Sequence, residues 1–442
     1  MKIKFLMLTV LFAIVAQSTK AQEKHLSLEE AVNMALASSD EAKISEAKVN
    51  SATQELQVTK NNRYPDFKLS GQYSYLTNAN VDLQLSTGNS DPTPEDGASQ
   101  PAAQPQINQL LLGQANVSMP IFSGFKLKNS IKAGENSLKA AKLNAQNSNE
   151  EIALQTIQDY LNLYKARKTV DLVQESLKSA QQRVKDFNAM EQNGLLARND
   201  LLKAQLQESN VQLSLDEAKK TAEILSYKLA VTLKLPEDTE IETSDSEFQR
   251  SGLMETGAEI SRSDLEALKF QEQAAEKGIE VAKGNYFPSI ALVGGYVALD
   301  LQNALTVSNA MNVGVGVSYN LSEIFKNKSE VKLAESKANE LRHSIDLVSD
   351  KIKIQVKNAR QDYKLAQKKF DVYSKSQQQA VENYRIVKDK YDNGLMNTND
   401  LLEADVQQLQ AKINLAYAQA NIAQKYYELL QAQGKLTNEF KK

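Results

Sequence analysis

The sequence predicts a mainly α fold that also carries membrane β-barrel strands, built twice from one unit of helix, strand hairpin and long helical hairpin. Three observations predict it. Asn193 to Gln207 (NGLLARNDLLKAQLQ) and Asn393 to Gln407 (NGLMNTNDLLEADVQ) are near copies, so the chain is a duplication. Lys126 to Gln192 and Lys326 to Asp392 contain no proline and, between them, a single glycine, Gly134. Such runs read as helices several times the usual globular length. Four segments of roughly ten residues alternate apolar with polar, the length and period of strands that cross a bilayer in a barrel.

The start of the chain reads as a leader. Lys2 and Lys4 precede an apolar stretch from Phe5 to Ala16 and then Thr19-Lys20-Ala21, the three regions of a secretory signal peptide spanning residues 1–21. The stretch is short for the roughly 20 residues a spanning helix needs. Losing Lys2, Lys4 and Lys20 lowers the basic count from 52 to 49 against 55 acids, leaving about six net negative charges and no footing for nucleic acid. Cysteine is absent, which removes disulfides, thiolate nucleophiles, sulfur metal sites and acylation of an N-terminal cysteine.

The first repeat covers residues 22–236. Ser27 with Glu30 forms a capping box that opens a helix expected to run to about Asn62. Tyr64-Pro65 ends it. From Phe67 the period becomes two, giving strands at about 67–76 and 112–121. Between them Asn78 to Asn108 holds Pro92, Pro94, Pro101 and Pro105 among Gly, Ser, Asn and Gln, and reads as a loop. In a barrel it turns on the face opposite the helices, outside the cell. Lys126 to Gln192 would reach on the order of 100 Å as one helix. Asn193-Gly194 breaks it because glycine takes the left-handed backbone cheaply, so 193–200 is a hairpin tip and the return arm runs to Pro236.

Glu237 to Ser261 reads as an acidic, irregular linker. The second repeat, 262–435, opens on a capping box at Ser263 to Glu266 and repeats the strands at about 289–299 and 311–321. Val117 and Val317, like Gly194 and Gly394, are 200 positions apart, so strand and tip keep register across the copies. The second long arm steps through Ile345, Val348, Ile352, Val356 and Tyr363, nearly a heptad seam. Its tip is 393–400, and 436–442 reads as a short basic tail.

Four strands cannot close a membrane barrel, where no sheet edge can remain unpaired, so several chains must contribute. At this point the sequence resembles the TolC-type outer membrane channel family, the exit ducts of multidrug efflux pumps and type I secretion systems. The likeness covers nearly the whole mature chain. It rests on Leu26-Ser27-Leu28-Glu29-Glu30-Ala31, the Tyr64-Pro65 and Phe287-Pro288 junctions, Met119-Pro120-Ile121-Phe122-Ser123-Gly124, the run Leu229 to Pro236, and both tips. The resemblance implies a homotrimer in the outer membrane with a twelve-stranded barrel, a twelve-helix periplasmic α-barrel, and a belt around 237–261 and the chain end. It also implies a periplasmic adaptor and an inner-membrane transporter as partners. Three departures stand out: Arg262-Ser263-Asp264-Leu265 replaces the family's Arg-Pro-Asp-Leu, Gly124 has no glycine counterpart in the second repeat, and the tail is short.

No catalytic, cofactor or metal site emerges: His25 and His343 have no ligand-spaced partner, and no phosphate-cradling glycine loop or nucleophile elbow is present. The candidate functional residues lie at the tips. The family carries acids where this chain has Asp400 and Glu403, so the resemblance assigns these two, with Asp200, to the periplasmic entrance. Asn193-Gly194-Leu195 and Asn393-Gly394-Leu395 are the expected points of adaptor docking and gating. The competing reading of Asp400 to Glu403 is a capping box that starts the return helix. The competing reading of the whole chain is a periplasmic coiled-coil spacer or adhesin without a channel, which would have no use for the strands. An intact mass of protein purified from outer membranes is expected to begin at Gln22; retention of Met1 to Ala21 would refute the leader.

Overall fold

The structure, a computed structural model, describes residues 23–79, 107–244, 260–302 and 305–440. The leader, most of the Asn78 to Asn108 loop, residues 245–259 of the linker and the last two residues lie outside the described part. In chain order the elements are β1 (Glu23–Leu26), α1 (Leu28–Ser38), α2 (Asp40–Asn61), β2 (Asp66–Ala79), β3 (Ile107–Ser123), α3 (Lys126–Gln192) and α4 (Arg198–Thr232). After these come β4 (Glu240–Thr243), α5 (Ser263–Lys283), β5 (Ser289–Leu301), β6 (Leu305–Ser318), α6 (Glu323–Asp392) and α7 (Thr398–Gln433). The chain divides into two compact units, one of Met1–Asn50, Ala140–Leu268 and Ser344–Lys442, the other of Ser51–Lys139 and Lys269–His343.

In the first unit, β1 and β4 pair in parallel over Ala153, Ile157, Tyr160 and Leu161 of α3, Leu229 and Ala230 of α4, and Ala420 and Leu430 of α7. Tyr160 is fully buried. Its hydroxyl donates to the Leu26 carbonyl (2.7 Å) and accepts from the Ser244 N–H (3.0 Å), tying both strands to α3. The expected irregular linker therefore contains a strand, and a strand also precedes the first capping box. That box forms: Ser27 Oγ accepts from the Glu30 N–H while the Glu30 carboxylate accepts from the Ser27 N–H. The helix it opens does not run unbroken to Asn62. Ser39 leaves helical dihedrals at ψ 154 and its hydroxyl accepts from the Ala42 N–H, restarting the chain as α2 with Asp40 and Glu41 in the first turn.

The box expected at Ser263 is replaced. The Ser263 hydroxyl donates to Gln146, while Arg262, nine-tenths buried, grips Asp264 with two nitrogens and reaches the Ala432 carbonyl. Burial alone would raise the Asp264 carboxyl, but the Arg262 hydrogen bonds, the Arg262 charge and backbone N–H donors together hold the group below the ordinary carboxylate range. The expected tail is not loose either. Leu436 to Glu439 form a 3-10 turn whose Leu436 and Thr437 N–H groups donate to the buried Glu150 carboxylate (2.8 and 2.9 Å). Gly434, at φ 72, sits where an added Cβ would lie 2.0 Å from the Ser261 carbonyl oxygen, so the end of the linker closes onto the end of α7.

The second unit holds a four-stranded antiparallel sheet in the order β2-β3-β5-β6. Both hairpins share one register: Phe67 faces Val117, and Ile290, its counterpart, faces Val317. The strands are longer than expected on the side away from the helices, and β6 stops at Ser318 rather than Leu321. β2 and β6 are edges, with Leu69 and Val313 each 85% exposed. Where the sheet meets the helices, Gly124 at φ 63 lies against Gly284, and an added Cβ would stand 2.2 Å from the Gly284 carbonyl oxygen. This backbone contact is the reason for the isolated glycine noted in the sequence. Gly134, the one glycine of α3, admits Leu56 at 3.1 Å from the position of its missing Cβ.

Gly124→Ala is expected to destabilise the protein by roughly 2–4 kcal/mol, combining left-handed strain with overpacking. Gly278→Ala, in open space on α5, is expected to be neutral or to stabilise by up to about 1 kcal/mol. Thermal unfolding in detergent compares the two.

Candidate functional site: the paired hairpin tips

Each tip is cut by the same local chemistry. Gly194 and Gly394 take φ 72 and 73, and nothing lies within 4 Å of an added Cβ, so glycine is needed for its dihedral and not for space. The Gly194 N–H donates to Glu191 O and the Leu195 N–H to Met190 O; Gly394 and Leu395 do the same to Tyr391 O and Lys390 O. These bonds consume the last carbonyls of α3 and α6. Asn193 and Asn393 add a side-chain donor to the Ala189 and Asp389 carbonyls at 2.7 Å each. The next residue is thrown outward: Leu195 and Leu395 are 73% and 74% exposed.

The return helices start differently. Asn397 is the N-cap of α7, its Oδ1 accepting from the Asp400 N–H at 3.0 Å. The capping box read at Asp400 to Glu403 is thus corrected: the helix begins at Thr398, because Asn397 satisfies the first-turn donors. Asp400 becomes the third helical residue, and its carboxylate stands at the positive end of the helix. Glu403 is exposed and accepts from Gln407 (3.1 Å). In the first tip Ala197 supplies no side-chain cap, and Asp200 pairs with Lys203 at 3.4 Å.

The two tips pack on each other. Phe187, Leu201 and Ala204 of the first hairpin join Val387, Leu401 and Ala404 of the second in one buried cluster, and the Phe187 and Tyr391 rings stack at 5.8 Å. Beside this cluster is a charged contact that the sequence reading missed. Arg183 of α3 meets Asp405 of α7 at 2.9 Å, with side chains only 9% and 11% exposed, and Arg183 also donates to the Tyr384 hydroxyl of α6 (3.4 Å). Burial works against the Arg183 charge, and the Asp405 carboxylate and the Tyr384 hydroxyl together more than offset it, so its pKa is raised. The signal was available: Arg183 interrupts the apolar steps Leu177, Ala180 and Phe187, as Asp405 follows Leu401 and Ala404. A groove of about 1060 Å³ runs between the tips, lined by Arg183, Asp200, Lys203, Tyr384, Lys388 and Asn397 among others.

Among the described residues no cluster of His, Asp and Glu is arranged to hold a metal ion, and no helix is long and apolar enough to cross a membrane. The tips present exposed leucines, Leu195 and Leu395, and a carboxylate in the first turn of each return helix, Asp200 and Asp400.

The family described as "Outer membrane efflux protein" matches residues 31–231 and 257–435. The outer membrane efflux protein BepC of Brucella suis biovar 1 is 22% identical over 338 residues, 75% of this chain and 72% of BepC. Among solved structures, the CmeC outer membrane channel of Campylobacter jejuni superposes with a TM-score of 0.73 at 18% identity, covering 92% of this chain and 86% of CmeC. The open state of the Neisseria gonorrhoeae MtrE outer membrane channel gives 0.72 at 17% identity, covering 92% and 89%. CusC gives 0.76 at 15%, covering 95% of each chain.

Asp405→Ala is expected to cost roughly 3–5 kcal/mol by stranding the Arg183 charge, and Arg183→Met with Asp405→Leu to recover most of it. Denaturation midpoints in detergent measure both; equal losses in the single and double variants would remove the pair from the tip's stability.

Proposed function

The chain belongs to the outer membrane efflux protein family, and on that premise we propose how it works. It is an outer membrane exit duct for efflux that extends into the periplasm. In our reading three copies close it, twelve strands forming the barrel and twelve long helices the tunnel. The observation that carries this is the open sheet: among the described residues β2 and β6 have no partner on their outer sides, and a bilayer offers backbone groups no water to bond instead. The helical layer supports the same count, because α4 and α6 leave apolar positions such as Leu206, Leu213, Ile354 and Val372 exposed in the single chain. A coiled-coil spacer would need no sheet.

At the periplasmic end, threefold repetition brings Asp400 and Glu403 of α7 to the mouth as two acidic levels, with Asp200 adding a third set partly neutralised by Lys203. These carboxylates favour cations and hold the resting mouth narrow. Periplasmic adaptor and inner-membrane transporter engage the tips at Asn193-Gly194-Leu195 and Asn393-Gly394-Leu395, and supply the free energy that opens them.

Planar-bilayer conductance of Asp400→Ala with Glu403→Ala tests the mouth. The variant is expected to lose cation selectivity, and to lose block by divalent and trivalent cations added from the periplasmic side. Unchanged selectivity and block would reduce the acids to helix-start residues. Light scattering of the same detergent sample should report three copies, and a folded monomeric channel would overturn the barrel count.

A further inference from the structure

The duplication makes the contact surface inside one chain a template for the surface between chains. Three side-chain contacts tie α3 to α7 within the chain: Lys165 to Gln424 (3.1 Å), Thr169 to Tyr417 (3.0 Å) and Arg183 to Asp405 (2.9 Å). The 200-residue offset that relates the two tips holds along both arms, since neither gains nor loses a residue relative to its copy. Applying it turns α3 into α6 and α7 into α4, the two helices whose faces are left open. The three contacts then become Leu365 with Ile224, Lys369 with Glu217, and Asn383 with Gln205.

Each transformed pair is chemically matched: two aliphatic side chains, two opposite charges and two amides. All six residues are exposed in the single chain, with Leu365 at 50% and Ile224 at 54%. Among the described residues, Lys369 and Glu217 form no ion pair. Matching at three separate steps along two long helices is not expected of a solvated surface, where signs and polarity need not correspond.

The sheet gives the same result by itself. Inside the chain Val117 of β3 faces Gly294 of β5, and an added Cβ on Gly294 would stand 3.0 Å from the valine methyl. The counterparts are Val317 on the β6 edge and Gly71 on the β2 edge, again a valine and a glycine. Val317 is exposed, and beside Gly71 the nearest atom to an added Cβ is the Leu112 carbonyl oxygen at 4.0 Å. The edge glycine has open space where its internal twin receives a valine.

We propose that the seam between neighbouring copies is this repeat of the internal interface, with Glu217 of one copy paired to Lys369 of the next, Ile224 packed on Leu365, Gln205 bonded to Asn383, and Val317 seated over Gly71. The proposal rests on the trimer reading and adds its residue map. Because the chain has no cysteine, introduced thiols report unambiguously.

Glu217→Cys with Lys369→Cys, treated with a short bismaleimide, is expected to give covalently linked trimers. Thr169→Cys with Tyr417→Cys, the internal twin, is expected to link within one chain. Glu217→Lys alone is expected to reduce linkage of a nearby Ile224→Cys and Leu365→Cys pair several-fold, and adding Lys369→Glu to restore it. A trimer by light scattering in which the Glu217 and Lys369 positions do not link, while the internal control does, overturns the seam and leaves the trimer standing. A monomer that links only internally overturns both. A charge swap that fails to restore linkage removes the ion pair from the map.

Discussion

A strand in hydrocarbon has nowhere to leave a hydrogen bond unmade, and the rest of this molecule follows from that constraint. The four strands of one chain pair among themselves and stop, leaving the outer sides of β2 and β6 open. In the proposed trimer, neighbouring copies pair these two edges and close the ring. The long helices begin directly after the strands, at junctions as tight as Gly124 on Gly284.

The division of labour between apolar and polar contacts differs along the chain. Around β1 and β4, burial of side chains such as Tyr160, Ile157 and Leu229 dominates, and polar groups serve mainly to satisfy backbone: Tyr160 for two strands, Glu150 for the chain end. Toward the tips the cluster is smaller, and a buried ion pair joins the two hairpins. Such a pair contributes little over an apolar substitute, but losing either partner strands a buried charge.

Much of this was legible in the sequence because punctuation and period are local. Asn-Gly at 193–194 and 393–394, the prolines after Tyr64 and Phe287, and the alternation from Met311 onward each act within a few residues, and each marks an element boundary or a strand face. What was missed depends on distant partners. β1 and β4 are four residues each and pair across more than two hundred positions, too short for alternation to register. The 3-10 turn at Leu436 exists because Glu150 is there to receive its N–H groups. Arg183 and Asp405 each look like one more solvated charge until the helices are brought together. The break at Ser39 carries a local signal, since a serine followed by two acids is a helix start, but the apolar period runs on through it and masks the break.

The linker from Glu237 to Ser261 joins two halves that would otherwise have to find each other by diffusion. A covalent connection holds the two halves at an effective concentration far above that of separate copies. The interface inside the chain therefore forms without regard to dose, whereas closing the proposed ring is a second- or higher-order event that slows as copies become scarce. During that interval the exposed strands β2 and β6 are the hazard, ready to pair with any other edge. In the proposed trimer, covalent duplication halves the number of edges that must wait: three chains expose six where six half-chains would expose twelve.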